Sequence, residues 1–111
     1  MSISSTAEEL IKAASTLSTR CDELIPAIIK ETPVAHATNP LEYARDPHIA
    51  YLQLGGNQPA RTVMLGMNPG PWGMAQCGVP FGATKVATEL LGISDLDVHQ
   101  PKGAHPNRPV V

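Results

Sequence analysis

Aromatic residues are scarce in this 111-residue chain, with one Trp, one Phe and two Tyr. Any core must therefore rest on aliphatic side chains, and a chain of this length can bury only one. Cysteine is nearly absent as well. Cys21 and Cys77 form no Cys-x-x-Cys pair, which argues against a zinc knuckle and fits a reducing cytosol. The histidines at 36, 48, 99 and 105 lack zinc-type spacing, so no metal is expected. Positive charge is in short supply too: eight Lys and Arg stand against ten Asp and Glu, for a formal net charge of −2. That balance excludes the basic face of a stand-alone nucleic-acid binder, and Lys85, Lys102 and Arg108 are too scattered to form a patch. There is no apolar run long enough to span a bilayer and no signal peptide at the N-terminus, so a soluble, cytoplasmic protein without a membrane partner is expected.

What the chain does have is concentrated between Gly66 and Gly82. These residues include five glycines and three prolines, carry no charge, and hold the only Trp and the only Phe, Trp72 and Phe81. Glycine allows close approach of the backbone and proline fixes φ, so the stretch predicts a pre-shaped surface that need not be ordered on binding. Its chemistry is narrow: the amides of Asn68 and Gln76, the thiol of Cys77, backbone N–H groups and two aromatic faces. Such a set suits a neutral, planar ligand edged with donors and acceptors, such as a nucleobase, better than a phosphate. Cys77, with no cationic neighbour in the loop, is expected to be an inert thiol. Gln76 reads either as a staple of the loop or as a reader of bases, and Trp72 more as packing than as a ligand contact.

The flanking residues predict an architecture. The apolar run Thr62 to Leu65 reads as a buried strand, and Thr84 to Leu91, closed by Gly92, reads as the helix that follows. The loop would then begin at the carboxyl end of a strand, where open α/β sheets bind ligands. Upstream, Ser5 to Glu8 forms a capping box, and Leu10, Ile11, Ala14, Leu17, Cys21 and Leu24 follow at helical spacing. Pro26 is expected to end or kink that helix, with an irregular connector from Glu31 to Thr38. A second, short helix is expected from Pro47 to Gln53, with Asp46 as N-cap, Pro47 at N1 and a structural His48. Residues 95–109 read as loop.

The run Gly66-Met67-Asn68-Pro69-Gly70-Pro71-Trp72-Gly73-Met74-Ala75-Gln76, followed by Gly78-Val79-Pro80-Phe81-Gly82, resembles the first motif of the single-strand-selective monofunctional uracil-DNA glycosylases. Asn39 to Ala44 with Pro47 and His48 is similar to the family's segment before its first strand. His105 to Val110 is similar to the stretch after its first crossover. The resemblance begins near Asn39 and runs to the end of the chain, where the family continues for about as long again. It implies an α/β fold: the N-terminal part of a three-layer α/β/α architecture with a mostly parallel central sheet, truncated after the first strand–loop–helix unit. Residues 1–111 would be one incomplete domain, with 1–38 as N-terminal helix and connector and 39–111 as the family-like segment.

The resemblance also implies roles. Asn68 corresponds to the residue that positions the water attacking C1′ of the deoxyribose. Met67 lies where a backbone group meets the uracil, and Phe81 where an aromatic ring stacks on the flipped base. Gly70 takes the place of a tyrosine that excludes thymine in some superfamily relatives, so 5-substituted uracils should be admitted. Gly73 and Gly82 look structural. The implied activity is hydrolysis of the N-glycosidic bond of uracil in single- and double-stranded DNA during base excision repair, with no cofactor and no metal. The lack of paired cysteines sets the chain apart from the iron–sulfur branches of the superfamily. The partners would be uracil-containing DNA and a complementary C-terminal segment, in the cytoplasm of a bacterium, at its nucleoid, or in a eukaryotic nucleus. The family's second motif, a His-Pro-Ser-Pro-Arg-like loop that stabilises the departing uracil, has no counterpart here, and His105-Pro106 aligns elsewhere. The isolated chain is therefore expected to be inactive, and a remnant or nucleobase-binding module is the alternative.

Bond chemistry agrees with that outline. Glycosidic cleavage builds positive charge on the sugar and negative charge on the base, so aligned water and donors at the uracil oxygens lower the barrier. An Asn can orient water but cannot take its proton at neutral pH.

Overall fold

The computed structural model describes residues 4–93, 98–107 and 109–110. Among these, five helices form: α1 (Ser5–Glu31), α2 (Pro40–Tyr43), α3 (Arg45–Gly56), α4 (Met74–Cys77) and α5 (Thr84–Glu89). Residues 95–97, Arg108 and Val111, which the sequence placed in the C-terminal loop or at its end, lie outside the described residues.

Capping fixes where α1 begins, one residue before the predicted box. The Ser4 side chain accepts from the N–H of Ala7 at 3.1 Å, and its carbonyl accepts from Glu8 at 3.0 Å. Glu8 in the first turn and Lys30 in the last complement the helix dipole. Of the two effects expected of Pro26, it does not end the helix, which runs on for five residues to Glu31. Pro26 is exposed, so its ring displaces no packing, and it removes only one intrahelical bond. Beyond it, Ile28 holds the last turn: its carbonyl accepts from both the N–H (3.1 Å) and the hydroxyl (2.6 Å) of Thr32.

α1 packs along α3 and touches α2. At its start, Ser4 Oγ donates to the Gly56 carbonyl at 2.8 Å and the Ser4 N–H to Asn57 Oδ1 at 3.1 Å, tying the first turn of α1 to the end of α3. At its middle, buried Asn39 is the junction. Its Oδ1 caps α2 by accepting from Leu41 N–H (3.1 Å), while its Nδ2 reaches the Ser18 carbonyl (3.0 Å) and Asp22 Oδ1 (3.1 Å) on α1. One amide thus satisfies groups on two helices, with Pro40 at the position where a missing N–H costs nothing.

α3 is longer than predicted at both ends. Ala44 rather than Asp46 precedes it, so Pro47 sits inside the first turn, where its N–H would lack a partner anyway. From α3, His48 Nδ1 meets the Gly78 carbonyl at 2.8 Å. Gly78 ends α4 at φ +75°, and a Cβ there would stand 2.5 Å from the Ala44 carbonyl oxygen, so both conformation and space demand glycine. α5 ends near its predicted stop, with Gly92 at φ +69° turning the chain so that Ile93 N–H reaches the Ala87 carbonyl at 2.8 Å.

Two small clusters make the core. Cys77, Val79, Ala87 and Ile93 pack together with Ala50 and Tyr51 against them, and Tyr43, Ala44 and Val110 form the second. Aliphatic residues and Cys77 make the first cluster, but Tyr51 packs against it and Tyr43 is one of the largest fully buried side chains, so both tyrosines share in the core.

The expected α/β architecture is overturned. No strand forms among the described residues, and the run predicted as a buried strand is extended but bare: Val63 is 88% exposed and Leu65 93%. Residues 59–69 exchange no backbone hydrogen bond with one another or with the other described residues. A strand is stable only in a ladder that pairs its N–H and C=O groups and covers a face, and among the described residues no segment pairs with this one. Apolar content alone therefore does not produce a parallel sheet.

Candidate functional site

The exposed segment leads into a cavity of about 560 Å³, within the ordinary range for a small-molecule site. One wall is the chain from Gly66 to Gly70, and the opposite wall is Pro80, Phe81 and Gly82. Local hydrogen bonds fix the first wall. The Gly70 carbonyl accepts from Gly73 N–H at 3.2 Å and Ala75 N–H at 3.0 Å, folding the loop onto α4. Behind it, buried Gln76 donates through Nε2 to the Pro71 carbonyl (3.1 Å) and the Pro109 carbonyl (2.8 Å), and the Tyr43 hydroxyl donates to the Ala75 carbonyl. Gln76 is thus a staple between loop and C-terminal tail, the first of the two roles its sequence context allowed.

The second wall carries strain. Phe81 adopts φ +58°, a left-handed conformation that costs a non-glycine residue about 1–2 kcal/mol. It is held there by a turn in which Gly82 N–H bonds the Val79 carbonyl at 3.0 Å. Its ring stays 63% exposed and reaches across to Gly66, where a Cβ would come within 3.3 Å of the ring. A large aromatic presented to solvent at such a cost is a recognised mark of a ligand-contacting position.

Asn68 stands exposed on the first wall, its Nδ2 donating only to the adjacent Pro69 carbonyl at 3.2 Å. Its Oδ1 takes no bond from the described residues, leaving an acceptor open toward the cavity. The assignment of O and N follows the hydrogen bond. Met67 is 97% exposed, and Gly70 closes the far end of the wall. The four residues singled out in the sequence, Met67, Asn68, Gly70 and Phe81, therefore line one cavity.

Sequence reasoning missed two liners, Met64 and Met74. The signal was their type: thioethers are flexible and polarisable, and adapt to flat aromatic ligands. No titratable side chain lines this cavity, and no group of three metal-ligating residues occurs among the described residues. Cys77 is buried away from it, its thiol 3.5 Å from the Gly73 carbonyl, in keeping with an inert group. Trp72, expected to serve in packing more than in ligand contact, is 55% exposed and does not line the cavity. His48 is structural, as expected; burial lowers its pKa, partly countered by its bond to Gly78. Burial likewise raises the pKa of Tyr43.

No family model matches the chain. Individual relatives do. It is 48% identical over 73 residues to the single-strand selective monofunctional uracil DNA glycosylase of Bos taurus, covering 66% of this chain and 26% of that protein. The chain is a relative of the single-strand-selective monofunctional uracil-DNA glycosylases over part of their length. The Rattus norvegicus glycosylase of that name matches at 47% over 79 residues, covering 71% of this chain and 28% of the relative, and the Mus musculus glycosylase at 46% over the same length. The chain thus spans about a quarter of the length of these glycosylases, a smaller share than the half expected from the motif.

Proposed function

We propose that this chain supplies the base-binding and water-positioning loop of a uracil-DNA glycosylase that hydrolyses the N-glycosidic bond of uracil, and of 5-substituted uracils, in single- and double-stranded DNA. The observation that supports the reading is the convergence of Met67, Asn68, Gly70 and Phe81 on one uncharged cavity of about 560 Å³. In it a flipped uracil lies against the Phe81 ring, and base–aromatic stacking of about 1–3 kcal/mol offsets much of the few kcal/mol needed to extrude a base. Asn68 Oδ1 holds the water on the sugar side, and the backbone at Met67 meets the edge of the base. The side of Gly70 facing the cavity has no substituent, leaving room for a group at C5 of the base.

Orientation of water by an amide accounts for a modest part of the acceleration, and among the described residues no titratable side chain lines the cavity to assist departure of the base. That lack also favours a second reading, a module that binds uracil without cleaving it. Release of uracil from a labelled oligonucleotide distinguishes the two. Hydrolysis by a protein containing this chain, lost on Asn68→Ala, supports the enzyme. Saturable uracil binding without release supports the module. Equal release by the Asn68→Ala variant would remove the role given to Asn68.

A further inference from the structure

A second, smaller cavity of about 230 Å³ lies on the other side of the Asn68 loop, and the two share Pro69 as a common wall. Their linings otherwise differ in kind. Where the base cavity has no titratable group, the second is walled by His36 and His105, with Thr38, Tyr43 and Gln76 around them. The two imidazoles meet edge to face with ring centroids 4.8 Å apart. The Asn107 N–H donates to His105 Nδ1 at 3.0 Å, so that nitrogen is an acceptor and the proton of the neutral ring sits on Nε2, available as a donor. At about 230 Å³ the space is smaller than ordinary drug-sized sites of about 300–1,000 Å³, and suits a compact polar group rather than a second base.

We propose that this cavity is a phosphate site. Resting on the base-cavity reading, it takes a backbone phosphate flanking the flipped nucleotide. The His105 Nε2 donor and the His36 imidazole border one small space, where the Thr38 hydroxyl is engaged by Tyr43, and the acceptor the imidazoles suit is a tetrahedral oxyanion. Among the described residues no acidic side chain lines the cavity, where buried Tyr43 is the other titratable group, and Lys102 on the adjoining turn is exposed and adds positive charge nearby. The site supplies local donors to DNA in a chain whose net charge is negative.

Two measurements on the whole chain test it. In the first, inorganic phosphate is titrated while the side-chain NMR signals of His36, His105 and His99 are followed. Saturable shifts at His36 and His105 that exceed any at His99, which is paired with Glu42 at 2.9 Å, are expected. No shift, or an equal one at His99, overturns the site whatever the DNA experiments give.

The second compares binding of a uracil-containing single-stranded oligonucleotide with that of a copy whose uracil-flanking linkages are neutral methylphosphonates. With native linkages, His105→Asn and His36→Gln each weaken binding about three- to fivefold, the range of an exposed charge contact. With neutral linkages the variants and the native chain bind alike. Should the variants lose as much against the neutral copy, the histidines act through structure and the proposal fails. Saturable phosphate shifts with no preference for uracil over thymine would leave the phosphate site standing and remove the base-cavity reading instead.

Discussion

Replacing Gly78 by Ala should destabilise the fold by about 1–5 kcal/mol, and the figure can be built from two separable contributions. The first is conformational. At φ +75° an L-residue pays about 1–2 kcal/mol, reduced by the 0.4–1 kcal/mol that Ala gains over Gly by restricting the unfolded chain. The second is steric: the new Cβ would sit 2.5 Å from the Ala44 carbonyl oxygen and 2.9 Å from the Ala44 Cβ, at a cost of about 1–3 kcal/mol for overpacking against backbone. Gly92 separates them. It has a similar φ of +69° with nothing within 4 Å of its virtual Cβ, so Gly92→Ala carries only the first contribution. In urea unfolding followed by far-UV circular dichroism, with slopes of about 1–3 kcal/mol per molar, Gly78→Ala should lower the midpoint by about 1–2 M and Gly92→Ala by roughly a third of that. Equal midpoints for the two variants would refute the steric argument and, with it, the claim that α4 is clamped against the start of α3.

Other outcomes follow from the same contacts. Phe81→Ala should weaken uracil binding about five- to a hundredfold, read by equilibrium dialysis, since stacking contributes about 1–3 kcal/mol; unchanged affinity would place the base elsewhere. Gly66→Val should also impair binding, because its Cβ starts 3.3 Å from the Phe81 ring and the added methyls push the ring from its place; a full affinity would show that the ring position does not matter. His48 has a lowered pKa in the fold, so the unfolded chain binds its proton first as pH falls. Stability should then decline from the unfolded histidine pKa down to the lower folded value and level off below it, and the decline should vanish in His48→Gln if that variant folds. Gln76→Ala leaves the Pro71 and Pro109 carbonyls without this partner and should speed amide hydrogen exchange in residues 70–76, whereas unaltered exchange would deny the staple role.

Local signals in the sequence were reliable where one residue could decide them. Gly92 spelled a reversal and the apolar spacing after Ser5 a long helix, whereas the cap at Asn39 with Pro40 in the first helical position was not among the expectations. The site residues were legible because the Gly66–Gly82 run is contiguous, so a single loop brings Met67, Asn68, Gly70 and Phe81 to one cavity without help from distant chain. The strand was not legible in the same sense. Thr62 to Leu65 has the composition of a buried strand, but a strand depends on partners that no four-residue pattern contains. Whether Pro26 would end its helix was open for a related reason: its effect depends on exposure, which the helix's surroundings set. Nothing local announced the pairing of His36 with His105, which are separated by most of the family-like segment and meet only through the return of the tail.

The rim of methionines around the base cavity has a further consequence. Met64 and Met67 are 70% and 97% exposed, and Met74 completes the lining. Peroxide would convert these thioethers to sulfoxides, replacing soft apolar contacts beside Phe81 with polar, chiral ones. Because Met64 and Met67 lie outside the helices and outside both core clusters, such oxidation would degrade the pocket while the helical scaffold stayed intact. A preparation could then pass every test of folding and still have lost its ligand, and methionine sulfoxide reductase would restore it.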